Sequence, residues 1–158
     1  FIEPTQQIRS FGVKLKHNVN KSLVKNKSLI LIDDSLVRGT TSVKIIRMLY
    51  EAGAKEVHLR IASPPIKYPD YYGVDTPSYN ELLASKFSIE EMRKFINATT
   101  LKFLSIEGLY KSMGYEKRNS SYPQFTDHCF TGDYPVEPVD AKNKDFVNDQ
   151  VSLMSSKR

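Results

Sequence analysis

The chain has 158 residues, of which 40% are hydrophobic and 26% charged, and it carries a net charge of +5. That is enough chain for one domain with a real core, and the balance is that of a globular protein rather than a disordered one. No apolar run approaches the ~20 residues of a membrane span, and the single cysteine, Cys129, excludes an internal disulfide and points to a reducing compartment.

Phe1-Ile2-Glu3-Pro4 offers neither an initiator methionine nor a signal pattern, so the expectation is a piece of a longer chain. Thr5 to Phe11 is compatible with a short helix that Gly12 can end. The basic charge is local: Arg9, Lys14, Lys16, Lys21, Lys25 and Lys27 lie together without an acid, and removing those six from +5 leaves −1. A solvated face is one reading of the cluster, and a partner carrying several phosphates is another. Nucleic acid is disfavoured, because no aromatics interleave and no recognised binding module follows.

Leu29-Ile30-Leu31-Ile32 is a continuous apolar run of strand length, which predicts a strand buried on both faces. Residues Ser42 to Ala52 place Val43, Ile46 and Leu49 on one helical face, with Gly53 as the stop. Lys55 to Ala62 alternates as a second strand, with Val57, Leu59 and Ile61 on one side. Strand, loop, helix and strand in that order predict a parallel crossover. Ser63-Pro64-Pro65 ends the second strand, and a Pro- and Tyr-rich loop runs to Asp75. Pro77 suits the first turn of a helix over Ser78 to Ser85. Ser88 and Glu91 form a capping box for the next helix, which ends near Asn97. Leu101 to Leu104 predicts a short strand, and Ser105 to Met113 a last helix closed by Gly114. From Asp140 onward the chain reads as a disordered polar tail.

The chemistry concentrates in Asp33-Asp34-Ser35-Leu36-Val37-Arg38-Gly39-Thr40-Thr41-Ser42, between the end of a strand and the start of a helix. Open α/β sheets bind ligands there, and unpaired amides at a helix start favour an anion. Gly39 allows unusual dihedrals and a close backbone approach to a phosphate, while Thr40, Thr41 and Ser42 add hydroxyl donors. This is not a P-loop, since the G-x-x-x-x-G-K-[ST] spacing is missing. Asp33 and Asp34 can accept from two ribose hydroxyls and sit beside Mg²⁺. Taken singly, an Asp-Asp pair is often a turn and Thr-Thr-Ser often a cap. Together they are far more specific, and the constellation resembles the ribose 5-phosphate loop of type I phosphoribosyltransferases.

Further segments narrow the resemblance. Phe1 to Arg9, Ser63-Pro64-Pro65-Ile66, Tyr72-Gly73-Val74-Asp75-Thr76-Pro77, Glu81-Leu82-Leu83-Ala84 and Cys129-Phe130-Thr131-Gly132-Asp133-Tyr134-Pro135 all look like the glutamine phosphoribosyl pyrophosphate (PRPP) amidotransferase family. The resemblance runs from Phe1 to about Pro138. It implies an α/β fold: an incomplete type I phosphoribosyltransferase domain over 1–138, with a parallel sheet flanked by helices and a helical carboxyl-terminal region. A tail over 139–158 would follow. It also implies the first committed step of purine synthesis, in which PRPP, glutamine and water give 5-phosphoribosylamine, glutamate and diphosphate.

By the resemblance, Asp33 and Asp34 bind ribose and Mg²⁺, and Arg38, Gly39, Thr40, Thr41 and Ser42 hold the 5-phosphate of PRPP or of a nucleoside monophosphate. A glutaminase domain would supply ammonia, the full-length protein would be a cytoplasmic homo-oligomer, and Phe1 to about Arg9 would end a mobile loop that closes over PRPP. The glutaminase nucleophile is absent from this chain, which by itself would be inactive. Some relatives hold an iron–sulfur cluster; Asp70 and Thr126 stand here where those have cysteines, so no such cluster is expected. Cys129 reads as a plain buried thiol. His17, His58 and His128 are scattered, which argues against a metal site. Tyr68, Tyr71 and Tyr72 either rim the site or pack beneath the loop. The alternative function is a non-catalytic PRPP- or nucleotide-sensing module, although no helix-turn-helix segment is visible. A salvage transferase would have a shorter carboxyl half.

Overall fold

A computed structural model describes residues 19–74 and 76–138. The proposed helix at Thr5 to Phe11, the closing loop at Phe1 to Arg9, His17 and the tail over 139–158 lie outside the described residues. A short helix α1 (Lys21–Val24), capped by the Asn20 side chain, leads into strand β1 (Ser28–Asp33). Helix α2 (Thr40–Glu51), strand β2 (Glu56–Ile61), helix α3 (Leu83–Lys86), helix α4 (Ile89–Ile96) and strand β3 (Thr100–Phe103) follow. Helices α5 (Ile106–Ser112) and α6 (His128–Thr131) form the helical carboxyl-terminal region.

The three strands are parallel in the order β1-β2-β3, with Leu31 opposite Leu59 and Leu59 opposite Leu101. The predicted crossover is present. The core lies on one face of the sheet, where Val57, Leu59, Ile61 and Leu101 meet Ile46 of α2 and Met92 and Ile96 of α4. Val43 and Leu49 pack at its margin. The expected capping box is formed: the Ser88 hydroxyl accepts from the Glu91 amide, and Asn97 closes α4 in the left-handed conformation at φ 58°.

Three expectations need correction. Leu29–Ile32 is not buried on both faces, since Ile30 and Ile32 are 69% and 73% exposed. Strands laid down in one direction by right-handed crossovers carry their helices on the same side, so α2 and α4 cover the Leu29 and Leu31 face. The helix expected over Ser78–Ser85 is broken. A 3₁₀ turn at Tyr79–Glu81 is followed by Leu82 in an extended conformation (ψ 118°) and then by α3. Leu82 is fully buried, and the Leu83 amide donates to the Val37 carbonyl at 2.9 Å, so tertiary contacts outweigh local helix propensity. Finally, Ser105–Met113 does not contain the last helix. The four residues of α6 are too few to show a period, and Gly132 stops them at φ 82°.

The region after α5 is tied down by a polar network. Asp127, 4% exposed, accepts from the Tyr110 hydroxyl at 2.9 Å and from Arg118 Nε at 2.5 Å, and Arg118 also bonds Asp133 at 2.6 Å.

Candidate functional site

Asp33 ends β1 and pairs with Ile61, so the loop that follows leaves from the carboxyl edge of the sheet. Its middle is anchored by Leu36, 2% exposed and part of the core, while its far end is held by the Leu83 amide on Val37. Gly39 then turns at φ 76° and starts α2, whose first bond runs from the Val43 amide to the Gly39 carbonyl at 2.9 Å. The amides of Thr40, Thr41 and Ser42 therefore precede the helix's own acceptors and are available to an anion.

The seven residues expected to form the site are brought together. Asp33, Asp34, Arg38, Gly39, Thr40, Thr41 and Ser42 all line one cavity of about 700 Å³. Asp34 and Thr40 are exposed and Thr41 half-buried, whereas Ser42 is 3% exposed and sits deep in the wall. The side of Gly39 away from the cavity has a reason of its own. A Cβ there would stand 3.0 Å from Leu83 Cδ2 and 3.2 Å from Phe95 Cε1, so packing as well as the positive φ favours glycine.

Other members were not singled out from sequence. Lys44, one turn into α2, and Glu81, from the 3₁₀ turn, share the cavity, with Ile66, Val74, Thr76 and Pro77 on its far side. Arg38 Nε donates to Glu81 Oε1 at 3.0 Å, and that contact with Arg38 holds the Glu81 carboxyl below its usual pKa. Of the basic cluster, Arg9, Lys14 and Lys16 lie outside the described residues, and the other three are not at the site. Lys21, Lys25 and Lys27 precede β1 and so lie at the opposite end of the strand, roughly 20 Å away at ~3.3 Å per residue. A solvated face is the better account of them.

No protein-family model matches the chain. Individual relatives do. It is 55% identical over 157 residues to an amidophosphoribosyltransferase of Rhizobium etli, covering 99% of this chain and 32% of the relative. It is 53% identical to the chloroplastic amidophosphoribosyltransferase 2 of Arabidopsis thaliana, covering 94% of this chain and 26% of that one. The fold aligns with the glutamine PRPP amidotransferase of Bacillus subtilis, solved with ADP and GMP, at a TM-score of 0.71 and 49% identity. That match covers 87% of this chain and 30% of the other. The chain is a homologue of part of the amidophosphoribosyltransferases. It spans about a third or less of the length of these relatives, in their carboxyl-terminal phosphoribosyltransferase region. The open parallel sheet flanked by helices is the arrangement of that amidophosphoribosyltransferase domain. No helix among the described residues is long and apolar enough to cross a membrane.

A second polar group lies behind the cavity's rim, and here sequence spacing hid a contact. His128 is not isolated: its Nε2 lies 2.8 Å from Asp70 Oδ2, with both side chains buried, and Cys129 Sγ lies 3.9 Å from the same oxygen. Burial pushes the Asp70 carboxyl up, but the Tyr72 and Val74 amides and His128 outweigh it and leave the group below its ordinary pKa. Burial and then the Asp70 charge push the Cys129 thiol up to about 11. Cys129 itself is half-buried rather than fully enclosed. Tyr72 and Tyr134 wall His128 at ring-centroid distances of 5.1 and 5.0 Å, and Tyr71 packs on Tyr134. Tyr71 and Tyr72 do not line the cavity; each is 48% exposed and packs its ring against Tyr134 or His128. His58 is separate, beside Ser28 and Thr100 on the sheet.

Proposed function

We propose that residues 1–138 are the ribose 5-phosphate-binding part of the phosphoribosyltransferase domain of an amidophosphoribosyltransferase. The reaction is the one expected above, with PRPP, glutamine and water giving 5-phosphoribosylamine, glutamate and diphosphate. The observation that carries this reading is the convergence of two carboxylates and three helix-start amides on one cavity. The amides and hydroxyls of Thr40, Thr41 and Ser42, with Arg38, hold the 5-phosphate, and Gly39 sets their direction. Asp33 and Asp34 accept from the ribose hydroxyls. Their oxygens also suit a hard cation, so Mg²⁺ would be held there and would neutralise charge on the diphosphate.

Lys44 adds a positive charge one turn from the phosphate amides, and Glu81 positions Arg38 at the rim. Displacing diphosphate from an anomeric carbon needs positioning and charge neutralisation more than a strong base. Ammonia would come from a glutaminase domain, and the chain alone would release no product. Nucleoside monophosphates would compete in the same cavity, a reading supported by the ADP and GMP of the Bacillus subtilis neighbour. We assign the complete enzyme to a homo-oligomer in the cytoplasm.

Asp33→Asn and Asp34→Asn, each made in the enzyme that carries this chain, test the assignment. An amide loses a charge-assisted hydrogen bond worth roughly 1.5–3 kcal/mol, so PRPP-dependent product formation should fall by about tenfold to over a hundredfold. Glutamine hydrolysis should remain competent. Near-normal phosphoribosylamine formation in either variant would remove that carboxylate from the site.

A further inference from the structure

We propose that Asp70, His128 and Cys129 form a site for one zinc-like divalent ion, distinct from the phosphate cavity, with ligands Asp70 Oδ2, His128 Nε2 and Cys129 Sγ. The three atoms lie within 4.8 Å of one another. Zinc bonds of about 2.0–2.3 Å in a tetrahedron place donor atoms about 3.3–3.8 Å apart. Around an ion the oxygen and nitrogen, 2.8 Å apart, would open, and the sulfur, 3.9 Å from the oxygen in a group spanning 4.8 Å, would move inward, shifts of up to about 1 Å. A mixed oxygen, nitrogen and sulfur set suits zinc, and one thiolate cannot hold a four-cysteine iron–sulfur cluster.

Two further observations favour an ion over a simple polar contact. The Asp70 carboxylate is oriented from behind: its Oδ1 accepts from the Tyr72 amide at 2.7 Å and the Val74 amide at 3.1 Å, which aims Oδ2 at the histidine and the thiol. Supporting bonds of this kind hold metal-bound carboxylates. The carboxylate is also 6% exposed, and among the described residues no lysine or arginine pairs with it, His128 being its one ionisable basic partner. Buried charges are ordinarily paired or bound to metal.

The site is built before any ion arrives. The amides of Lys67 and Tyr68 both donate to the Cys129 carbonyl, at 2.9 and 3.1 Å, so the loop and α6 are pinned independently of the three side chains. Binding releases the thiol proton to solvent and replaces the Asp70–His128 hydrogen bond with two metal bonds. His128 Nδ1, buried and without a partner among the described residues, then carries the ring proton.

Cobalt(II) is the probe, because a thiolate ligand adds a sulfur-to-cobalt charge-transfer band in the near ultraviolet. The full chain is stripped with chelator and titrated with Co²⁺, then with Zn²⁺. The proposal expects one Co²⁺ per chain with that band, and its loss on one equivalent of Zn²⁺. Cys129→Ser should abolish the band, and Asp70→Asn and His128→Asn should each weaken binding at least tenfold. Circular dichroism in chelator checks that each variant is folded. The titration of the unaltered chain decides even if a variant does not fold. Stoichiometric Co²⁺ without the band, an unchanged band in Cys129→Ser, or no binding would each reduce the group to a hydrogen-bonded pair beside a thiol and overturn the site.

Discussion

Gly39→Ala tests whether the loop from Asp33 to Ser42 is shaped by packing from behind. Two penalties add. At φ 76° an L-residue is strained, by about 1–2 kcal/mol. The new methyl would also stand 3.0 Å from Leu83 Cδ2 and 3.2 Å from Phe95 Cε1, closer than side chains settle without moving. Overpacking of this kind costs about 1–3 kcal/mol, so the expected loss is about 2–5 kcal/mol. For a chain of this size each kcal/mol lowers the melting temperature by about 2–4 °C.

The same displacement should turn the Thr40–Ser42 amides away from the cavity and reduce ribose 5-phosphate affinity about tenfold or more by calorimetry. A double-mutant cycle with Leu83→Ala separates the two penalties. Shortening Leu83 removes the nearest contact but leaves the backbone strain, so a favourable coupling of about 1 kcal/mol is expected. A Gly39→Ala variant that melts within about 1 °C of the parent and shows no coupling would refute the packing argument.

Asp127→Asn should destabilise by about 2–3 kcal/mol, less than the roughly 3–5 kcal/mol of a fully broken buried pair, because Arg118 keeps Asp133; urea unfolding measures it. Burial raises the Asp127 pKa, but Arg118, Tyr110 and Thr131 lower it further, so its folded value lies below the unfolded one. The stability it contributes is therefore present above about pH 4 and lost as pH falls through the depressed value, and melting curves of Asp127→Asn should flatten in that acid range. Ser88→Ala removes the cap on α4 and should cost about 1 kcal/mol by the same unfolding assay.

What could be read from sequence was whatever depends on local period and punctuation. The β1–loop–α2–β2 unit shows in Leu29–Ile32, in the spacing of Val43, Ile46 and Leu49, and in the Val57, Leu59 and Ile61 alternation. The Ser88–Glu91 box set one helix boundary to the residue. The candidate site was legible because all seven residues sit in one ten-residue stretch. What was hidden depends on distant partners. Whether both faces of Leu29–Ile32 are covered is decided by where the crossover helices fall, not by the strand's own apolarity. The break at Leu82 answers to a carbonyl at Val37. Glu81 reaches the site only by crossing to Arg38, and His128 meets Asp70 across 58 residues.

The cavity therefore has two walls of different physical character. Its wall at the start of α2 is fixed by apolar burial, through Leu36 in the core and Gly39 against Leu83 and Phe95. Its opposite rim, at Val74 and Thr76, hangs on polar contacts, because Asp70 takes the Val74 amide and gives its own amide to Thr76 Oγ1 at 2.6 Å. Apolar anchoring is insensitive to charge, whereas the rim is held through the hydrogen-bond partners of Asp70. Loss of the Asp70 contacts, as in Asp70→Asn, should thus loosen the rim while leaving the wall at the start of α2 in place. Ligands that use only the 5-phosphate would be little affected. Those that extend from the ribose toward Val74 and Thr76 would bear the whole of the change.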